Sequence, residues 1–204
     1  MLKRFVIIAF MAVAGFAALV GCDNDPEQQR SVVTIASLNC NLPVFSDVLE
    51  QGDSLFLLID DFVAEDWVQV WFYNRPYNGL VITEPVAPHG DFLITDYRIA
   101  WTSGSGGPVL ATRMEQVSIN VSTRDVATGW IRMVSLADKL DPIIVALRAG
   151  GVTFMTANIT FYGHEIGTDR TTTIEARASV EFTEFFIATK DKEPIDECTI
   201  SISN

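Results

Sequence analysis

With only two histidines in the chain, candidate general bases are few. His164 stands beside Glu165 and close to Asp169 in "GHEIGTDR", and a histidine with two carboxylates could serve acid–base or metal-assisted hydrolysis. More often such a trio is a hydrogen-bonded turn. His89 lies in the Pro/Gly loop "APHGD". Asp60, Asp61, Glu65 and Asp66 form the densest acidic cluster, in "IDDFVAEDW". Oxygen ligands this close could hold Ca²⁺, but they lack the alternating acids and central Gly of a calcium loop, and a solvated loop is the simpler reading. With two His and no CxxC, no zinc ligand set is spelled out. No GxSxG elbow, HExxH helix, Walker loop or dinucleotide fingerprint is present, and "GSGGP" at 104–108 is a turn before strand-like sequence. The expectation is no cofactor and no metal.

A different chemistry is carried by "WVQVWFY". Val68, Val70 and Phe72 fall on one face of a strand, while Trp67, Trp71 and Tyr73 crowd the other around Gln69, with Tyr77 just beyond. Such a strand is either covered on both sides or exposes aromatics that could stack on a sugar or anchor a protein. Trp101 and Trp130 also sit on strands, which suits a large aromatic interior.

The elements that must position these residues are strands. In "TIEARASVEF", Ile174, Ala176, Ala178, Val180 and Phe182 alternate with polar residues, and in "TFMTANITFY" Met155, Ala157, Ile159 and Phe161 do the same. These are half-buried antiparallel strands, joined by the hairpin loop "GHEIGTDR". Further strands are expected at Val32 to Leu38, Asp66 to Tyr73, Phe92 to Trp101, Gln116 to Ser122, Trp130 to Leu136 and Cys198 to Ile202, with turn signals at "RPYNG", "SGSGGP" and "RDVATG". One helix is expected near 142–149, with Asp141 as N-cap, Pro142 at its first position and Gly150 past its end. Seven to nine short antiparallel strands and one crossover helix resemble an immunoglobulin-like or related Greek-key β-sandwich in pattern, with a barrel as the alternative. That fold hosts many functions.

Residues 1–21 begin Met1-Leu2-Lys3-Arg4 and continue as an uncharged apolar run to Cys22, the layout of a secretory signal peptide. Leu19-Val20-Gly21-Cys22 resembles the lipobox of bacterial lipoproteins. The resemblance implies lipidation of Cys22, cleavage before it, and a protein anchored by several acyl chains, each buried CH₂ contributing about 0.8 kcal/mol. Asp23 resembles an inner-membrane retention signal, a rule that fails in some lineages, so either membrane remains open. Residues 22–30, "CDNDPEQQR", then form a lipidated tether, and 31–204 a single domain.

In the oxidising compartment that lipidation implies, the two remaining cysteines, Cys40 and Cys198, are expected to pair, with two buried thiols as the alternative. A bridge spanning 158 positions would contribute about 4–5 kcal/mol in the chain-entropy account. Without the leader the chain carries 12 basic against 26 acidic residues, a charge of −14 that repels phosphate backbones and argues against nucleic acid. The expected partners are the membrane, through the lipid, and an unidentified protein or glycan. The leading functional expectation is a non-catalytic envelope domain at the cell or outer membrane. The alternative is a hydrolase or metal-assisted enzyme using His164, Glu165 and Asp169.

Overall fold

A computed structural model describes residues 31–47, 65–76, 90–104, 106–144, 153–168 and 170–183. These form an all-β sandwich. The strands are β1 (Ser31–Leu38), β2 (Val44–Asp47), β3 (Asp66–Pro76), β4 (Phe92–Ser103), β5 (Arg113–Val121), β6 (Val126–Val134), β7 (Thr153–Glu165) and β8 (Thr171–Thr183), with helix α1 (Leu136–Lys139) between β6 and β7. One sheet has the order β1-β3-β6 and the other β2-β8-β7-β4-β5. All pairings are antiparallel except β2 on β8.

This order is the immunoglobulin-like arrangement that the strand pattern suggested. The N-terminal stretch is shared between the sheets, β1 joining the smaller and β2 running parallel to the last strand of the larger. The changeover is made at Asn39, Cys40 and Asn41, each with positive φ. Three consecutive non-glycine residues in that region are costly, and Asn39 offsets part of the cost by donating from Nδ2 to the carbonyls of Leu42 and Pro43 at 3.1 and 3.0 Å.

The core follows the period-two reading. Val68, Val70 and Phe72 face Met155, Ala157, Ile159 and Phe161, all buried. Phe72 of β3 and Phe161 of β7 meet edge to face, ring centroids 5.0 Å apart. These strands occupy the positions that a disulfide links in antibody domains, and here an aromatic pair pins the sheets instead. On β4 the inward phase changes: Phe92 and Ile94 point in, then Tyr97, Ile99 and Trp101. The register shift between Ile94 and Asp96 is the β-bulge that allows this, since one extra residue flips the face of everything after it. Gly129 of β6 sits under Ile119 of β5, whose side chain fills the place a Cβ would take, so the sheets approach closely along this edge.

Several elements differ from expectation: β2 was not expected, and the strand expected from Gln116 to Ser122 runs from Arg113 to Val121. The strand expected from Trp130 begins at Val126 and ends at Val134, because Ser135 caps α1. Its Oγ accepts from the Asp138 N–H while the Asp138 carboxylate accepts from the Ser135 N–H, a reciprocal capping box. The anticipated N-cap at Asp141 is present: its carboxylate accepts from the Ile143 N–H at 2.8 Å, and 142–144 are helical. Residues 145–149 of that expected helix, and the strand expected at Cys198 to Ile202, lie outside the described residues.

Candidate functional site

The outer face of the three-stranded sheet carries the aromatic set. Because Val68, Val70 and Phe72 are drawn into the core, alternation sends Trp67, Gln69, Trp71 and Tyr73 outward. Trp67 is 52% exposed, and Trp71 and Tyr73 are half-buried; Tyr77 lies outside the described residues. Opposite them on β6, Trp67 pairs with Arg132, Gln69 with Trp130 and Trp71 with Thr128. Trp130 is 58% exposed. Assignment of both Trp101 and Trp130 to an aromatic interior is therefore half right. Trp101 packs on Phe182 at 5.7 Å inside the core, whereas Trp130 is on the surface with Trp67. The signal for it was in the sequence, since Trp130 is out of phase with the buried Ile131 and Met133.

Beside this face lies a network that sequence reasoning missed. Tyr97 is 2% exposed; its hydroxyl donates to Glu115 Oε2 at 2.6 Å and accepts the Arg132 backbone N–H at 3.0 Å. Arg113 of β5 donates from Nη2 to the carbonyl of Arg132 at 2.6 Å and also to that of Met133. Its Nε pairs with Glu115 at 3.0 Å and its Nη1 with Asp138. Strand β6 is the edge of its sheet, and two side chains from the other sheet occupy its outward N–H and C=O groups where a neighbouring strand would. Arg132 in turn bonds Glu115 from Nε and Nη2, and Glu65 from Nη1 at 2.6 Å. Arg113 and Glu115 could have been found from β5, where they share the inward phase of Val117, Ile119 and Val121.

The protonation states follow from this packing. Burial first, then the bond to Glu115, holds the Tyr97 phenol far above its ordinary range. Burial pushes Glu115 up, but its hydrogen bonds with Tyr97 and Arg132 and the two arginine charges outweigh it, leaving the carboxyl below its usual value. Hydrogen bonds to Glu115 and Glu65 raise Arg132, while burial lowers Arg113 despite Glu115. Glu115 and Arg132 are thus held as ions beside a neutral phenol.

The other expected residues are dispersed. His164 and Glu165 are successive on β7, so they point to opposite faces. His164 lines an open groove of about 430 Å³ with Tyr162 and four threonines (Thr95, Thr171, Thr172 and Thr173), and among the described residues no carboxylate lines it. Glu165 is buried, and its Oε2 accepts from Thr168 Oγ1 at 3.1 Å. Glu65 and Asp66, expected in a solvated acidic loop, instead meet cations, Arg132 and Lys139 respectively, at 2.6 and 3.0 Å. They sit at the Val134 end of the strands and His164 at the other, since Phe92 pairs with both Glu165 and Val121, whereas Asp66 pairs with Val134. About eight residues of strand, or roughly 27 Å, separate the two groups. Among the described residues no group of three His, Cys, Asp or Glu could hold a metal.

Asp60, Asp61, His89, Asp169, Cys22 and Cys198 lie outside the described residues. Cys40 sits in the changeover turn, half-buried. No described helix is long and apolar enough to cross a membrane. Comparison with known proteins finds no family and no curated relative that matches this chain.

Proposed function

We propose that this protein is a lipid-anchored, non-catalytic domain of a bacterial cell envelope, held in the cell or outer membrane through Cys22, whose working surface is the outer face of β1-β3-β6. The carrying observation is the pair of exposed indoles, Trp67 and Trp130, on adjacent strands. Each ring leaves more than half of its surface in water, where it contributes nothing to the fold, and exposed aromatics of this kind mark binding surfaces. The placement supports the reading. The tether would enter at Ser31, which pairs with Pro76, and Trp67 lies nine residues along β3 from Pro76, about 30 Å away. A lipid at Cys22 would thus leave the aromatic face toward the pole far from the bilayer.

A bridge from Cys40 to Cys198 belongs to the same proposal, because it would fasten the changeover turn to the C-terminal segment. The hydrolase alternative draws no support from a strand that separates His164 from Glu165. Complementation tests the proposal. Cells lacking the protein and supplied with Trp67→Ala/Trp130→Ala should accumulate it, anchored and folded, yet behave as the deletion does. Supplied with Cys22→Ala, they should hold unprocessed protein that carries no acyl chain. Full complementation by the double variant would refute the working surface, and a membrane-bound, normally trimmed Cys22→Ala protein would refute the anchor.

A further inference from the structure

We infer that the five-stranded sheet carries a separate contact site, which takes a lysine or arginine side chain of a protein partner. Phe45 of β2 pairs with Glu181 of β8, and Glu181 pairs with Phe154 of β7, so the three side chains form one row across neighbouring strands on the outer face. Each ring is 56% exposed, whereas the carboxylate between them is half-buried. Among the described residues no hydrogen bond or ion pair reaches that carboxylate. Residues 44–47, 153–156 and 179–183 hold no basic side chain, and Arg177, the nearest along β8, stands four residues or about 13 Å away.

The chemistry of the row selects its occupant. Ring faces carry the negative part of the aromatic quadrupole, so the two phenyls leave the charge of the carboxylate unanswered. An apolar occupant would strip water from Glu181 and put nothing in its place. An anion would be repelled by it, and by a chain that without its leader carries 12 basic against 26 acidic residues. A cation meets all three groups at once. Strands about 4.8 Å apart set each Phe about 5 Å from Glu181 at the backbone, so a charge over the carboxylate comes within the roughly 6 Å reach of both rings. Lysine and arginine also bring an apolar stem that lies along a ring, which a bare ammonium ion does not. The row stands near the Val134 end of the fold, since Met155 pairs with Ser103, four residues beyond Ile99, whose partner Arg113 bonds the carbonyl of Met133. That is away from Ser31, where the tether would enter, so the cation comes from a partner and not from the bilayer.

Nuclear magnetic resonance titration of nitrogen-15-labelled full-length protein in a nonionic detergent tests this, with acetyl-Gly-Lys-Gly-amide and acetyl-Gly-Arg-Gly-amide as probes. Amide shifts at Phe45, Phe154 and Glu181 should saturate with at least one of them, with a Kd on the order of 10 mM for a single cation. Glu181→Gln should weaken binding about 5-fold, and Phe45→Ala and Phe154→Ala about 2- to 5-fold each. Glu175→Gln makes the same charge change at an exposed position of the same strand face, six residues or about 20 Å away, and should leave binding unchanged. Thermal melting confirms that each variant is folded. No saturable shift at these amides overturns the site, as does equal binding of acetyl-Gly-norleucine-Gly-amide, which keeps the stem and lacks the charge. Equal weakening by Glu175→Gln would reduce the effect to net charge, and saturation by spermidine alone would assign the cation to a free polyamine; either overturns the basic side chain. The Trp67 and Trp130 face lies on the other sheet, so failure here leaves that reading standing.

Discussion

Replacing Tyr97 by Phe removes one oxygen from the join between the sheets and nothing else from the core, because the ring stays against Phe161 at 6.1 Å. Two interactions go: a 2.6 Å bond to a carboxylate and the acceptor for the Arg132 N–H. A hydrogen bond to a charged group contributes about 1.5–3 kcal/mol, and Glu115 keeps its arginine partners, so the expected loss is about 2–3 kcal/mol. For a domain of this size that is a fall in Tm of about 4–12 °C. The pH dependence gives a second, independent readout. The folded phenol holds its proton far above 10.0, whereas the unfolded one releases it near that value. Its contribution is therefore fully present below pH 10 and is lost as pH rises above it, at about 1.4 kcal/mol per unit. Tyr97→Phe should lose that extra alkaline slope. Denaturant melts from pH 7 to 11 would show the two proteins converging. Equal stability at pH 7, or parallel alkaline limbs, would refute the role given to the hydroxyl.

Two further perturbations probe the same edge. Glu115→Gln should be less stable than the parent at pH 7 and less sensitive to acid. The parent's carboxyl is held below its ordinary value of 4.5, so its contribution is present above that pH and lost below it. Melts between pH 6 and 3 that stay parallel would contradict this. Gly129→Ala should cost about 1–3 kcal/mol by pushing Ile119 away, and a Tm within error of the parent would show that the sheets are not in close contact there.

Much of the fold could be read because a sheet with one wet face writes its geometry directly into the chain. Every inward position named on β7 is buried, and on β8 all are buried or half-buried. The parts that escaped are those where local pattern and pairing disagree. Strand β2 is four residues long, too short for alternation to register, and exists because β8 offers it an edge. The bulge at β4 inverts phase in mid-strand, which no period detects. Arg113 and Glu115 were passed over for a related reason although they keep the strand's period: charges on an inward phase look like the end of a strand, until Arg132, Asp138 and the phenol make burial tolerable. The aromatic strand was conspicuous, but whether it was covered depended on what lay across it, a property of three strands together. Adjacency of His164 and Glu165 in sequence was misleading because consecutive strand residues diverge.

Where the chain is held decides whether Trp67 and Trp130 are presented away from a bilayer. Intact mass of the protein purified from native membranes, before and after reduction, addresses this directly. The expected species is residues 22–204 carrying acyl chains, heavier by two hydrogens after reduction as the bridge between Cys40 and Cys198 opens. An unacylated chain would contradict the anchor and, with it, the presentation of Trp67 and Trp130 away from a bilayer.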